Sequence, residues 1–329
     1  MPRIGLSFES HLPLDLMREA VKAADEQGYE VCWMPGEESP GKELPTQHAA
    51  FAMATSRIKV ATGILTIYTR PPTLIAQTAT SLDEISDGRF MLGLGTGHAE
   101  RLQRNHGIRL ERPFQRMREY VQVIRRILSD GWVSYQGKLL NIPNFQLAAA
   151  PPERPIPIYL AALGPQMAAL AGEIADGVLL NMGTVEYLRD VIPRVKDAAR
   201  NAGRDPDKVD IACLVAASSG GSEAEWACRE RISSYIGSPF YQQLLRANGF
   251  GTEVDRIVGS LKSGDRQEAT RRVTDRMLDA LSLAGDPSRW AEKLERYRSA
   301  GVDLPCLFIS PSGPDPTGSV LNSVRSLKG

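Results

Sequence analysis

The amino-acid sequence predicts an α/β fold: a closed (β/α)8 barrel with a helical insertion between strands seven and eight. Three observations carry the prediction. Short apolar or β-branched runs of strand length recur eight times along the chain, and helical periodicity separates nearly all of them. A stretch of about ninety residues near the C-terminal end, roughly 218–304, reads as helix throughout. Eight strands favour closure, since an open doubly wound sheet more often has about five to seven. The 329 residues are read as one domain, 1–329.

The elements follow in order. Ile4 to Phe8 is the first strand, and Leu14, Met17, Val21 and Ala24 mark the core face of a helix ending near Gly28. Val31 to Met34 is the second strand, followed by the loop Pro35-Gly36-Glu37-Glu38. Thr46 opens a helix, and Ile58 to Gly63 is a β-branched third strand. Pro71 and Pro72 start the next helix, which closes at Asp87-Gly88. Phe90 to Leu94 is strand four, with the glycine tip Gly95-Thr96-Gly97 after it. A long helix from about Pro113 to Leu128 precedes a small hairpin within Trp132 to Leu147. Tyr187 to Ala202 is helical, Val209 to Ala216 is strand seven, and Cys306 to Ile309 is strand eight. The tail after Ser310 reads as loosely structured.

Strands five and six belong to the most informative stretch, Pro157 to Asn181. An apolar strand to Ala161 is followed by Gly164-Pro165, and proline suits a first helical position because its missing amide hydrogen would go unpaired there. Met167, Leu170, Ala171 and Ile174 give that helix one buried stripe, and Val178 to Leu180 returns as a strand. A helix start at the carboxyl end of a strand aims bare amides and a positive dipole end above the sheet, which makes a phosphate seat.

Composition narrows the function classes. Lysine plus arginine equals aspartate plus glutamate at 39 each, so no charge excess argues for nucleic acid or an anionic membrane as partner. No apolar run approaches the ~20 residues that span a bilayer. The N-terminal residues lack a secretory pattern, and the four scattered cysteines suit reduced thiols of a cytoplasmic protein. In a barrel of this kind the working residues sit in the loops after the strands. Those loops offer Glu9, Glu37 with Glu38, Gly63 to Thr66, Gly95 to His98, Ala162 to Gly164, and Asn181. Glycine, small polar groups and carboxylates on neighbouring loops suit a flat polar ligand carrying a phosphate. No serine or cysteine nucleophile has a partnered histidine, and the four histidines lack zinc spacing. Gly93 to Gly97 resembles part of a dinucleotide fingerprint, but the third glycine is missing and no helix is expected directly after it.

Four stretches carry a family resemblance: RPPTLIAQTATSLDEISDGRFMLGLGTG from Arg70, Pro157 to Asn181, GSPFYQQLLRANGF from Gly237, and GDPSRWAEKLERYRSAGVD from Gly285. Through them the chain resembles the bacterial luciferase-like superfamily nearly end to end, and within it the coenzyme F420-dependent branch typified by methylenetetrahydromethanopterin reductase. The resemblance implies a TIM barrel, a deazaflavin or flavin at its carboxyl face, and a homodimer. It places a non-proline cis peptide at Gly63–Ile64, behind the ring. It puts the phosphate on Ala161, Leu163, Gly164 and Gln166, and lines ring and ribityl chain with Gly95, Thr96 and Asn181. Thr66 falls near the ring's polar edge. Many relatives carry Asp-His where this chain has Gly36-Glu37, and the pterin reductases place a carboxylate at Ser7, two residues before Glu9. The expected reaction is hydride transfer between coenzyme F420 and a small organic substrate, with Glu37 or Glu9 handling the proton. The rivals are an FMN-dependent monooxygenase of the luciferase type and a flavin-binding protein without catalysis. Arg101 and Arg104 suit the acidic tail that distinguishes F420 from FMN.

Overall fold

Eight parallel strands make the barrel: β1 (Gly5–Ser7), β2 (Val31–Met34), β3 (Lys59–Thr62), β4 (Phe90–Gly95), β5 (Ile158–Ala161), β6 (Gly177–Asn181), β7 (Asp210–Ser219) and β8 (Leu304–Ile309). The computed structural model describes residues 2–37 and 40–327, so Glu38 of the second-loop acid pair lies outside the described residues. The ring closes because β8 pairs with both β7 and β1, and the remaining strands pair in sequence order. Alternation along each strand divides two cores. Leu6, Cys32, Val60 and Leu92 face the helices. Val31, Trp33, Ala61, Met91 and Phe308 fill the barrel interior.

The amino end of the barrel is sealed by charge. Arg3 donates to Glu30 at 2.7 Å and to Asp210 at 2.6 Å, and Lys59 reaches Glu30 at 3.1 Å. The Tyr159 hydroxyl rises from the interior to donate to Asp210 at 2.6 Å. With that end plugged, the open end is the carboxyl face.

The unit built on β5 and β6 follows the sequence reading. Its helix Pro165–Ile174 begins at Gly164 and packs on Val185–Asn201. Gly172 permits that contact, since a Cβ there would stand 2.1 Å from the Val195 carbonyl oxygen. The expected hairpin forms as Trp132–Gln136 paired antiparallel with Asn141–Gln146.

Four sequence expectations are corrected. A helix, Ala99–His106, does start directly after the glycine tip; its charged surface and single buried apolar residue, Leu102, left no apolar stripe to read. The second helix begins at Leu44 rather than Thr46, because Glu43 caps it by accepting from the Thr46 amide. The region 218–304 is not helical throughout: Ser282–Gly285 is a strand pairing parallel with β7. The tail after Ser310 forms the helix Pro316–Arg325, which buries Val320, Leu321 and Val324.

The insertion has its own core. Helices Ser222–Ile236, Pro239–Ala247, Gly251–Lys262 and Asp275–Leu281 gather Ile232, Leu245, Val254, Ile257 and Met277 in one cluster. Met182 and Ala216, on and beyond the strand tips of the barrel, join that cluster and fasten the insertion over one side of the carboxyl face. Among the described residues no helix is long and apolar enough to cross a membrane.

Candidate active site at the carboxyl face

A cavity of about 1390 Å³ opens where the strands end, between the barrel tips and the insertion. Most of the expected site residues meet there. Glu9, Gly36, Gly63, Ile64, Gly95, Thr96, Ala161, Leu163, Gly164, Gln166 and Asn181 all line it. Thr66 and Glu37 do not figure among the described residues of the wall.

The floor is set by β3 and β4. The Gly63–Ile64 peptide is cis, as the resemblance implied, and the Ile64 side chain lies over Gly95. A Cβ on Gly95 would stand 2.6 Å from Ile64 Cγ1 and 3.4 Å from Ala161 Cβ, so only glycine leaves this floor flat. Behind it, Gly93 lets β4 close on β3, with its amide donating to Thr62 Oγ1 at 2.9 Å.

The seat after β5 is built from helix geometry. Pro165 has no amide hydrogen, and the Ala168 amide is spent on the Gly164 carbonyl at 3.0 Å. The Gln166 and Met167 amides have no intrahelical acceptor, and both residues line the cavity. The Tyr187 hydroxyl donates to the Leu163 carbonyl at 2.7 Å and fixes the loop that carries the seat.

The two candidate carboxylates differ. Glu37 accepts from the Thr66 amide at 2.5 Å and from Arg70, which also donates to Glu43. Burial pushes the Glu37 carboxyl above its usual range, and the Arg70 and Thr66 hydrogen bonds only partly offset it. Both of its oxygens are engaged, and it braces the loop after β3 from behind the cavity. Glu9 stands on the wall itself. One oxygen accepts from Arg231 Nη1 at 2.6 Å, and the other has no partner among the described residues.

Arg231 was not singled out by the sequence reading, because it sits in a helix of the insertion with no motif around it. It is 7% exposed, donates from Nε to Ser310 Oγ at 2.7 Å, and lies over the Phe308 ring at 3.7 Å. One turn later on the same helix, Tyr235 meets the cavity edge-on to Tyr241, with ring centroids 4.9 Å apart. Burial pushes the Tyr235 phenol up to about 12 and holds that of Tyr241 well above its ordinary value, so both stay protonated. Asn181 Nδ2 donates to the Tyr241 hydroxyl at 2.6 Å, tying β6 to the insertion. His98 stacks on Tyr241 at 6.4 Å. Sequence had one pointer to this wall, the stretch from Gly237 that carries Tyr241.

This geometry has relatives. The sequence model described as luciferase-like monooxygenase matches residues 4–304. The chain is 31% identical to the 5,10-methylenetetrahydromethanopterin reductase of Methanopyrus kandleri over 90% of its own length and 88% of the relative's. It is 30% identical to the enzyme of that name from Methanolobus tindarius, covering 94% and 95% of the two chains. Among solved structures, the coenzyme F420 dependent tetrahydromethanopterin reductase from Methanopyrus kandleri superposes with a TM-score of 0.88 at 27% identity, over 99% and 98% of the two chains.

Proposed function

Because the chain belongs to the luciferase-like monooxygenase family, we propose that it is a coenzyme F420-dependent oxidoreductase of the methylenetetrahydromethanopterin reductase type. The observation that carries this reading is end-to-end similarity to the reductases together with a cavity whose floor and seat suit a flat, phosphate-bearing coenzyme. FMN is the alternative coenzyme. The family's monooxygenase description keeps that reading in view, whereas the two relatives compared along nearly their whole sequence are reductases.

The residues present fit the coenzyme. The floor at Gly95 has no room for a side chain, and the helix start after β5 offers two amides with no intrahelical acceptor. In the proposed assignment, Leu163, Gly164 and Gln166 hold the phosphate beside Ala161. Gly63, Ile64, Gly95 and Thr96 back the ring, with Gly36 opposite and Asn181 along the chain. Thr66 acts from behind, holding the loop after β3 through its bond to Glu37. Bound F420 supplies the hydride donor or acceptor carbon of its deazaflavin ring.

The chain's own work is to orient, exclude water and move one proton. A substrate carbonyl or imine carbon that gains a hydride leaves its heteroatom needing a proton. Glu9 lines the cavity, and the oxygen that Arg231 leaves unpartnered is the one that can relay a proton from solvent to the heteroatom, and back in the reverse direction. Arg231 holds the other oxygen and so aims the carboxylate. Glu37, doubly engaged behind the wall, is a positioning residue in this scheme rather than the proton carrier.

The same proposal includes a homodimer in the cytoplasm. Met53, Leu74 and Ile85, exposed on the adjoining helices Leu44–Ala54 and Pro72–Ile85, support a partner-covered face, and four free, buried cysteines suit a reducing compartment. The test is single-turnover mixing of reduced F420 with 5,10-methylenetetrahydromethanopterin and with a panel of imines and ketones. The expected result is enzyme-dependent reoxidation of the coenzyme by at least one member. Reoxidation by none of them, with oxygen consumed by bound reduced FMN instead, would replace this reading with the monooxygenase.

A further inference from the structure

Large apolar side chains exposed to water are unremarkable singly, but two exposed phenylalanines of this chain belong to one cavity. Phe240 is 56% exposed and Phe114 is 41% exposed, and both line the opening at the carboxyl face. Each is the second residue of a helix that begins with proline, Pro113–Asp130 on the barrel and Pro239–Ala247 on the insertion. The proline fixes the first turn and so sets where each ring projects. Leu110, Pro113, Pro239 and Leu244 line the same cavity beside them.

The volume says what the lip is for. At about 1390 Å³ the cavity exceeds the ~300–1,000 Å³ that encloses a single drug-sized ligand, so a coenzyme leaves room beside it. The seat and floor assigned to the coenzyme are made of glycine, small residues and bare amides, whereas the two phenyl rings come from helix starts outside that set. Phe240 reaches as far as the seat, since a Cβ on Gly164 would lie 3.3 Å from its ring, and so it overhangs the coenzyme side without belonging to its floor.

We infer that Phe114 and Phe240 form an aromatic lip that binds an aryl or extended apolar group of the substrate. The inference rests on the oxidoreductase reading of the same cavity and adds the substrate class. The substrate is amphipathic: a polar carbon–heteroatom group lies inside near Glu9, and a flat apolar part stacks between the two rings on its way out. Edge or face contact with two phenyl rings is the recognition chemistry.

The probe is prodan, a neutral naphthyl ketone whose emission shifts blue in a dry site. It is titrated into the protein with and without saturating F420. Prodan should bind with a blue shift, and Phe114→Ala and Phe240→Ala should each weaken it by about tenfold. Phe240→Trp should restore the affinity, while Met53→Ala, remote and 79% exposed, should leave it unchanged. Both side chains are exposed and outside the buried core, so the variants are expected to fold, and matching melting curves check this. F420 affinity should stay within threefold in every variant. Absence of prodan binding to the wild type, or unchanged affinity in both alanine variants, would overturn the inference. So would an equal loss of F420 affinity in Phe240→Ala, which assigns the ring to the coenzyme, or its conversion of a dimer to a monomer in sedimentation, which assigns it to a second copy. Failure of the wild type to bind F420 sinks the coenzyme reading separately, because the prodan titration is also run without it.

Discussion

Replacing Gly95 by alanine puts the proposed coenzyme floor under direct test. The new Cβ would stand 2.6 Å from Ile64 Cγ1 and 2.8 Å from Cδ1, well inside contact distance, and 3.4 Å from Ala161 Cβ. The strand is held at this point, because Gly95 pairs with Thr66 and the adjoining Leu94 pairs with both Leu65 and Leu160. Ile64 must therefore turn out of its place, and the open direction is into the cavity it lines. Overpacking of this kind costs about 1–3 kcal/mol. If Ile64 relieves the clash by entering the cavity, that cost falls mainly on ligand binding, and at 1.4 kcal/mol per decade it weakens coenzyme affinity about 5- to 150-fold. The assay is an F420 titration of wild type, Gly95→Ala, Ile64→Ala and the double variant. The double variant should recover part of the loss, giving a coupling energy of about 1 kcal/mol or more. Unchanged F420 affinity in Gly95→Ala, in a protein that melts normally, would refute the placement of the ring on this floor.

The two carboxylates are predicted to separate in kinetics: Glu9→Gln should lower turnover about 100-fold or more with F420 affinity nearly intact, a loss of proton transfer. Glu37→Gln should lower turnover less than about tenfold and act mainly on stability, by about 1–2 kcal/mol in denaturant melts, because its amide still accepts from Thr66 while the Arg70 pair is lost. Asp25 supplies a pH test. Burial alone would raise its carboxyl, but amide hydrogen bonds from Ser56, Ile58 and Arg57 prevail and hold it below the ordinary range. A depressed value stabilises the fold above the unfolded-state pKa, about 3.9, and that contribution disappears as pH falls through the folded value. Asp25→Asn should therefore cost about 2 kcal/mol near neutrality, a cost that shrinks as pH falls below the unfolded-state value, read from urea melts across pH.

The barrel was readable from sequence because its two periodicities are hard to mistake. The strands are continuous apolar runs, as strands buried on both faces must be, and the helices between them carry one apolar stripe each. The helix start after β5 was readable for the same local reason: Gly164-Pro165 lies between an apolar strand and a periodic helix. What escaped was decided by contacts distant in sequence. Nothing near Glu37 announces that Arg70, 33 residues away, will engage it behind the wall. Arg231 meets Glu9 across 222 residues, so neither partner signals the other. The helix Ala99–His106 was missed because it buries only Leu102 and shows the period little to act on. Ser282–Gly285 was missed because Ser-Leu-Ala-Gly holds no β-branched or aromatic residue to mark a strand.

Side-by-side titration of the purified protein with F420 and with FMN tests the central claim most directly. Tighter binding of F420, weakened in Gly95→Ala, is the result the floor and seat predict. Tighter binding of FMN, or saturable binding of neither, would contradict it.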